Sequence, residues 1–216
     1  MPWQDSHWKQ ISFLCPIGAA LCGNNPSLLQ SAFNEALKQG IALSHIREVI
    51  LTSYLFDGYP TALEGFRMLD ILLPNTASEG TPIHYTDKTI KIWRQRGTKL
   101  CRQIYGDRFK ELMTRLNRWA PELKESMIIE GYGKVLARPQ LDIEIREIVV
   151  ITMLLVKQRP RQLISHIYGA LRLNVPPDAI CSTLTYAQPF IPPLNFQELR
   201  LKVLNTIGAS PPITDK

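Results

Sequence analysis

The sequence predicts an all-α protein, and three observations carry that prediction. Apolar residues recur with helical rather than alternating spacing along almost every segment. The segments are punctuated by Pro at helix starts and Gly at helix ends. The chain also repeats itself: displaced by 134 residues, Ile11 falls on Ile145, Ile17 on Ile151, Leu21 on Leu155, Pro26 on Pro160, Leu29 on Leu163, Ala36 on Ala170 and Ile46 on Ile180. No gap is needed over about 36 residues, and both copies follow one plan of apolar helix, Pro-started helix, turn and third helix.

In chain order, Ile11 to Leu21 is apolar and helical despite Pro16 and Gly18. Asn25-Pro26-Ser27 opens a helix with Pro in its first turn, which runs from Leu28 to Gln39 and stops at Gly40. Ser44 caps a helix to Phe56 with Glu48 near its first turn. Asp57-Gly58-Tyr59-Pro60 reads as a turn, and Pro60 starts a helix through Leu73. Pro74 to Tyr85, polar and turn-rich, reads as a linker or mobile loop. A helix follows from Asp87 to Tyr105, is broken at Gly106 and resumes through Arg118; another opens at Pro121 and reaches Ile129.

Gly131 to Ala170 is the central stretch. Gly131, Gly133 and Pro139 predict a turn-rich opening, after which a long apolar helix begins around Arg146-Glu147. From Leu141 to Lys157, 11 of 17 positions are apolar and fall on every face, so this helix is buried on several sides. Pro160 starts the next helix, which carries His166. Pro176-Pro177-Asp178 starts another, and Pro189, Pro192 and Pro193 precede a last one from Leu194 to Ile207. The tail is expected to fray. This divides the chain into a first copy (1–73), a loop with connecting helices (74–118) and a second copy (119–216).

Composition narrows the function classes. With 45% hydrophobic and 20% charged residues the 216-residue chain is globular. No apolar run reaches the roughly 18 residues of a membrane span, and MPWQDSHWKQ has no signal-peptide pattern, so a cytoplasmic protein without a membrane partner is expected. The net charge of +6 is concentrated between Lys88 and Arg118. Without a recognition motif or a stacking platform, this stripe is read mainly as a solvated helix face and no nucleic-acid partner is expected. Cys15, Cys22, Cys101 and Cys181 contain no Cys-x-x-Cys pair. Cys15 and Cys22 share a helix face, as a redox pair or, the favoured reading, as two buried thiols. No cluster has zinc-like spacing, and Gly131-x-Gly133 is too short for a dinucleotide loop, so no metal and no cofactor are expected.

Glu147 and His166 are where chemistry is expected. The acid stands where polar residues give way to Ile148–Ile151, and the base lies in the following helix. The 134-residue displacement places Phe13 opposite Glu147 and Ala32 opposite His166, so a single polar site would belong to the second copy. The bland reading is a carboxylate near a helix N-terminus and a core histidine joining two helices.

The segment from Tyr105 to Ile180 carries YGDRFKEL, APEL, GYGKVLARPQLD, the Arg146-Glu147 pair, QLISHIYGAL and PPDAI. It resembles the carboxymuconolactone decarboxylase family, which includes alkylhydroperoxidase-like (peroxiredoxin-like) proteins. ALKQGIALSHIREVI and FDGYP extend the resemblance into the first copy, to about 150 residues in all. It implies an all-helical fold and a homo-oligomer, trimeric or hexameric. In the peroxidase branch a glutamate precedes Cys-x-x-Cys-x-x-x-His. Glu147 and His166 keep its spacing of 19, but Arg159 and Gln162 stand at the cysteine positions, so thiol peroxidase chemistry has no nucleophile there.

The decarboxylase branch is the better match, although the second copy's aromatic-x-Gly-x-Pro turn has become Phe190-Ile191-Pro192-Pro193. The resemblance implies a cofactor-independent carboxy-lyase for a small carboxylated lactone or related ring compound. Glu147 and His166 would form its proton-transfer pair, Arg146, Arg138 and Arg159 would be candidate carboxylate clamps, and Tyr132 a wall or hydroxyl donor, with Gln162 beside them. A non-catalytic binding or assembly role is the alternative, and a peroxidase using cysteines elsewhere is third.

Overall fold

The computed structural model of the chain describes residues 3–74 and 83–209, and among these there is no β-strand. The chain forms two compact units, one of Met1–Thr76 with Gln140–Lys216 and one of Ala77–Pro139.

The first unit is built on two apolar helices. α1 (Asp5–Cys22) begins six residues earlier than the hydrophobic pattern predicts. Asn25 accepts from the Leu28 amide to cap α2 (Pro26–Lys38), with Pro26 in the first turn where a missing N–H costs nothing. α3 (Leu43–Leu72) starts after Ala42, so Ser44 lies inside it rather than capping it. The turn predicted at Asp57–Pro60 is a kink within α3: Gly58 sits at φ 86°, ψ 169°, a conformation that a side chain resists.

Later in the chain the same unit receives α7 (Ile143–Val156), α8 (Pro160–Arg172), α9 (Pro177–Ala187) and α10 (Pro193–Gly208). α1 packs on α2, α3, α7 and α9, and α7 also packs on α3, α8 and α9. Every residue of α7 from Ile145 to Val156 is buried, and each such large aliphatic chain contributes about 1.5–3 kcal/mol of burial. The α1–α7 crossing is close because Gly18 lacks a side chain; a Cβ there would lie 3.2 Å from Val149 Cγ1 and 3.3 Å from Met153 Cε.

The helix ends close in one way, 134 residues apart. Asn24 and Gln158 both have positive φ (50° and 52°), as do Gly40 (71°) and Asn174 (59°). Each is followed by an amide that reaches back five residues: Asn25 to Ala20 and Arg159 to Leu154 (3.1 and 3.0 Å), Ile41 to Ala36 and Val175 to Ala170 (2.9 and 3.0 Å). These bonds satisfy carbonyls that the helix ends leave open.

The second unit contains α4 (Asp87–Tyr105), α5 (Phe109–Trp119), α6 (Pro121–Ser126) and a π-helix, Met127–Leu136. The predicted turn at Gly131–Gly133 is therefore helical, and neither glycine has positive φ. Gly133 is small for packing instead. A Cβ on it would overlap the Trp93 carbonyl, and one on Gly97 would overlap the Ile128 carbonyl. This pairing of α4 with the π-helix groups residues 119–139 with the connecting helices. Part of the predicted loop, residues 75–82, and the tail beyond 209 lie outside the described residues. No helix among the described residues is long and apolar enough to cross a membrane.

Candidate functional site

α7 starts at Ile143, so Glu147 stands in its second turn with its amide already inside the helix, rather than at the N-terminal edge. Its side chain is fully buried, and Oε2 lies 2.8 Å from His166 Nδ1. Glu147 is nine residues before the end of α7 and His166 six residues into α8. This leaves an axial offset of about 4–5 Å that the carboxylate and imidazole stems bridge. Phe56, just before the α3 kink, meets the His166 ring edge-on at 5.8 Å between centroids.

Two polar atoms of this pair remain to be accounted for. Glu147 Oε1 is buried and has no hydrogen-bond partner among the described residues. His166 keeps 6% of its side chain exposed, and its one hydrogen bond among the described residues is the one made by Nδ1. With Nδ1 engaged by a carboxylate, Nε2 is the nitrogen left to exchange a proton with a ligand.

Arg146, adjacent to Glu147, does not serve the expected role of clamp. It is fully buried, its Nη2 lies 2.9 Å from Glu48 Oε2 and its Nη1 donates to Thr52 Oγ1 at 2.9 Å. Thr52 in turn donates to the Glu48 carbonyl at 2.7 Å. The guanidinium is thus neutralised inside the protein, where burying it without Glu48 would be prohibitive.

Arg159 is the exposed N-cap of α8, and Gln162 is exposed in its first turn. With His166 they fall at i, i+3 and i+7, the spacing of one helix face. Tyr132 and Arg138 belong to the other unit, in and just after the π-helix; Tyr132 is buried there with its ring edge-on to Tyr105 at 6.4 Å.

Sequence reasoning missed Glu48, Thr52 and Phe56. They occupy i, i+4 and i+8 of α3, and a single acid on an otherwise apolar stripe was the available signal. Among the described residues no group of three or more His, Cys, Asp or Glu is disposed to hold a metal ion. Compared with known proteins, the chain matches no family model and no curated protein sequence.

Proposed function

We propose that this protein is a carboxymuconolactone decarboxylase-like enzyme that works without a cofactor on a small carboxylated lactone or related ring compound. The observation that carries the reading is the buried 2.8 Å contact between Glu147 Oε2 and His166 Nδ1. It is the arrangement in which a carboxylate orients an imidazole for proton transfer through its other nitrogen. As carbon dioxide leaves, the electron pair of the broken C–C bond passes into the conjugated carbonyl, and a proton from protonated His166 goes to carbon. Glu147 holds the ring in the orientation this transfer needs.

The carboxylate clamp falls to Arg159, with Gln162 beside it, because Arg146 is committed to Glu48. The separation of 134 residues between matching helix ends supports reading the chain as two copies of one helical unit. A trimer or hexamer, located in the cytoplasm, completes the reading. The exposed stripe of Leu194, Leu201 and Leu204 on α10 (83%, 55% and 39% exposed) supports self-association. Burial holds the Cys15, Cys22 and Cys101 thiols up at about 12, which speaks against a thiol peroxidase.

The test is a thermal-shift screen against small lactone acids and keto acids, run beside His166→Ala and Arg159→Gln. An acid that raises the wild-type midpoint and fails to raise either variant's marks the ligand for a decarboxylation assay. The enzyme reading falls if no acid shifts the wild type and His166→Ala alone lowers the apo midpoint. Glu147 and His166 would then be a structural pair, as the full burial of Glu147 would also permit.

A further inference from the structure

The charge of this protein is not spread over it. Of 25 Lys and Arg and 19 Asp and Glu, the unit Ala77–Pro139 holds 13 and 7, leaving 12 and 12 in the other unit. The whole net charge of +6 therefore belongs to one unit, and most of it to α4.

α4 is electrostatically unfavourable as an isolated helix. From Lys88 to Arg102 it carries six cations and no acid. Lys88–Lys91, Lys91–Arg94, Arg96–Lys99 and Lys99–Arg102 are like charges at i, i+3, each of which destabilises a helix. Lys88 and Lys91 also stand near the N-terminal end, where the helix dipole disfavours cations. A solvated helix ordinarily interleaves acids on such a face. Here Arg94 pairs with Glu125 of α6, while Lys88, Lys91, Arg96 and Lys99 make no ion pair among the described residues.

These cations form a surface. Lys88, Lys91, Lys99 and Arg102 are exposed and fall within about 80° of the helix circumference, along about 21 Å of its length. The opposite face of α4 (Gly97, Leu100, Cys101, Ile104) is buried, with Gly97 seated against the backbone of the π-helix, so the array is fixed in place.

We propose that this face of α4 binds the phosphate backbone of nucleic acid without regard to sequence. A protein partner would ordinarily offer an aromatic or apolar centre to match and would disfavour lysine; this face has no such centre. A membrane-surface helix inserts an apolar face into lipid, and that of α4 is already buried. Phosphate contacts need only a line of Lys and Arg, and a duplex presents about one charge per 1.7 Å of its axis. This proposal departs from the sequence expectation of a merely solvated stripe.

The experiment is fluorescence anisotropy of the full chain with a labelled 20-base-pair duplex of arbitrary sequence. Binding is expected at 50 mM salt and weakens roughly 150-fold by 200 mM, the salt response of about four neutralised phosphates. The variant Lys88→Gln, Lys91→Gln, Lys99→Gln, Arg102→Gln is expected to lose at least about 30-fold at 50 mM. A control variant, Lys9→Gln, Lys38→Gln, Arg161→Gln, Arg200→Gln, removes the same charge from the other unit and keeps the affinity. Lys99→Gln alone lowers the salt slope by about one and covers the case of a misfolded quadruple variant. No binding at 50 mM, equal loss in both quadruple variants, or binding to phosphatidylserine vesicles without binding to the duplex would each overturn the proposal.

Discussion

Arg146 and Glu147 are neighbours in the chain, both fully buried, and are held by different helices. Arg146 is bound to Glu48 of α3 and Glu147 to His166 of α8, at 2.9 and 2.8 Å. Successive residues of a helix point about 100° apart, so one dipeptide in α7 ties two neighbouring helices to itself. The first bond uses up a charge, and the second engages one imidazole nitrogen and leaves Nε2 without a hydrogen bond among the described residues.

Removing one end of the first bond will be costly. Arg146→Met leaves Glu48 buried without its counter-ion and is expected to destabilise by about 3–5 kcal/mol, whereas Glu48→Gln with Arg146→Met recovers most of that loss. Urea unfolding of the two single variants and the double variant measures the coupling. Additive effects would show that the pair does not act as a unit.

The second bond separates stability from function. Glu147→Gln keeps a hydrogen-bonding oxygen for Nδ1 and is expected to cost no more than about 1 kcal/mol. Glu147→Ala strands the buried imidazole nitrogen and costs about 1–3 kcal/mol. Both lower turnover of any substrate found by the ligand screen, because Nδ1 is no longer held by a charge. Equal melting and equal turnover of Glu147→Gln and the wild type would remove Glu147 from the mechanism.

The glycines of the second unit give a sharp contrast. Gly97→Ala and Gly133→Ala each drive a methyl into a backbone carbonyl that cannot turn aside, so each is expected to cost about 3 kcal/mol or more. Gly131→Ala meets nothing within 4 Å and relieves a helical glycine, so it is neutral or stabilising by about 0.5–1 kcal/mol. Far-UV circular dichroism melts of the three variants test the ordering.

The thiols make stability fall at high pH. Burial lifts Cys15, Cys22 and Cys101 from 9.0 to about 12, with Asp57 adding to the effect at Cys22. Above pH 9 the unfolded chain releases these protons while the folded chain retains them. Each thiol then removes about 1.4 kcal/mol per pH unit until pH nears 12, and below pH 9 the contribution is intact. Denaturant unfolding between pH 8 and 11 measures the slope. In native protein at pH 8 a thiol reagent is expected to label Cys181, the half-exposed one, and spare the other three.

By itself the sequence determined the helical class, most helix starts and ends, and the burial of α7. These follow from local chemistry: Asn25 and Pro26 start a helix, Gly40 ends one, and a segment apolar on all faces has nowhere to go but inside. It also singled out Glu147 and His166. Only the tertiary structure decided that they touch, because an axial offset of about 4–5 Å between two helices is bridged or not according to side-chain direction. Only the structure assigned Arg146 to Glu48, across 98 residues of chain that no spacing rule connects. It also turned Gly131–Gly133 from an expected turn into a π-helix, since a glycine that frees the backbone and one that admits a neighbouring helix read alike until the neighbour is in place.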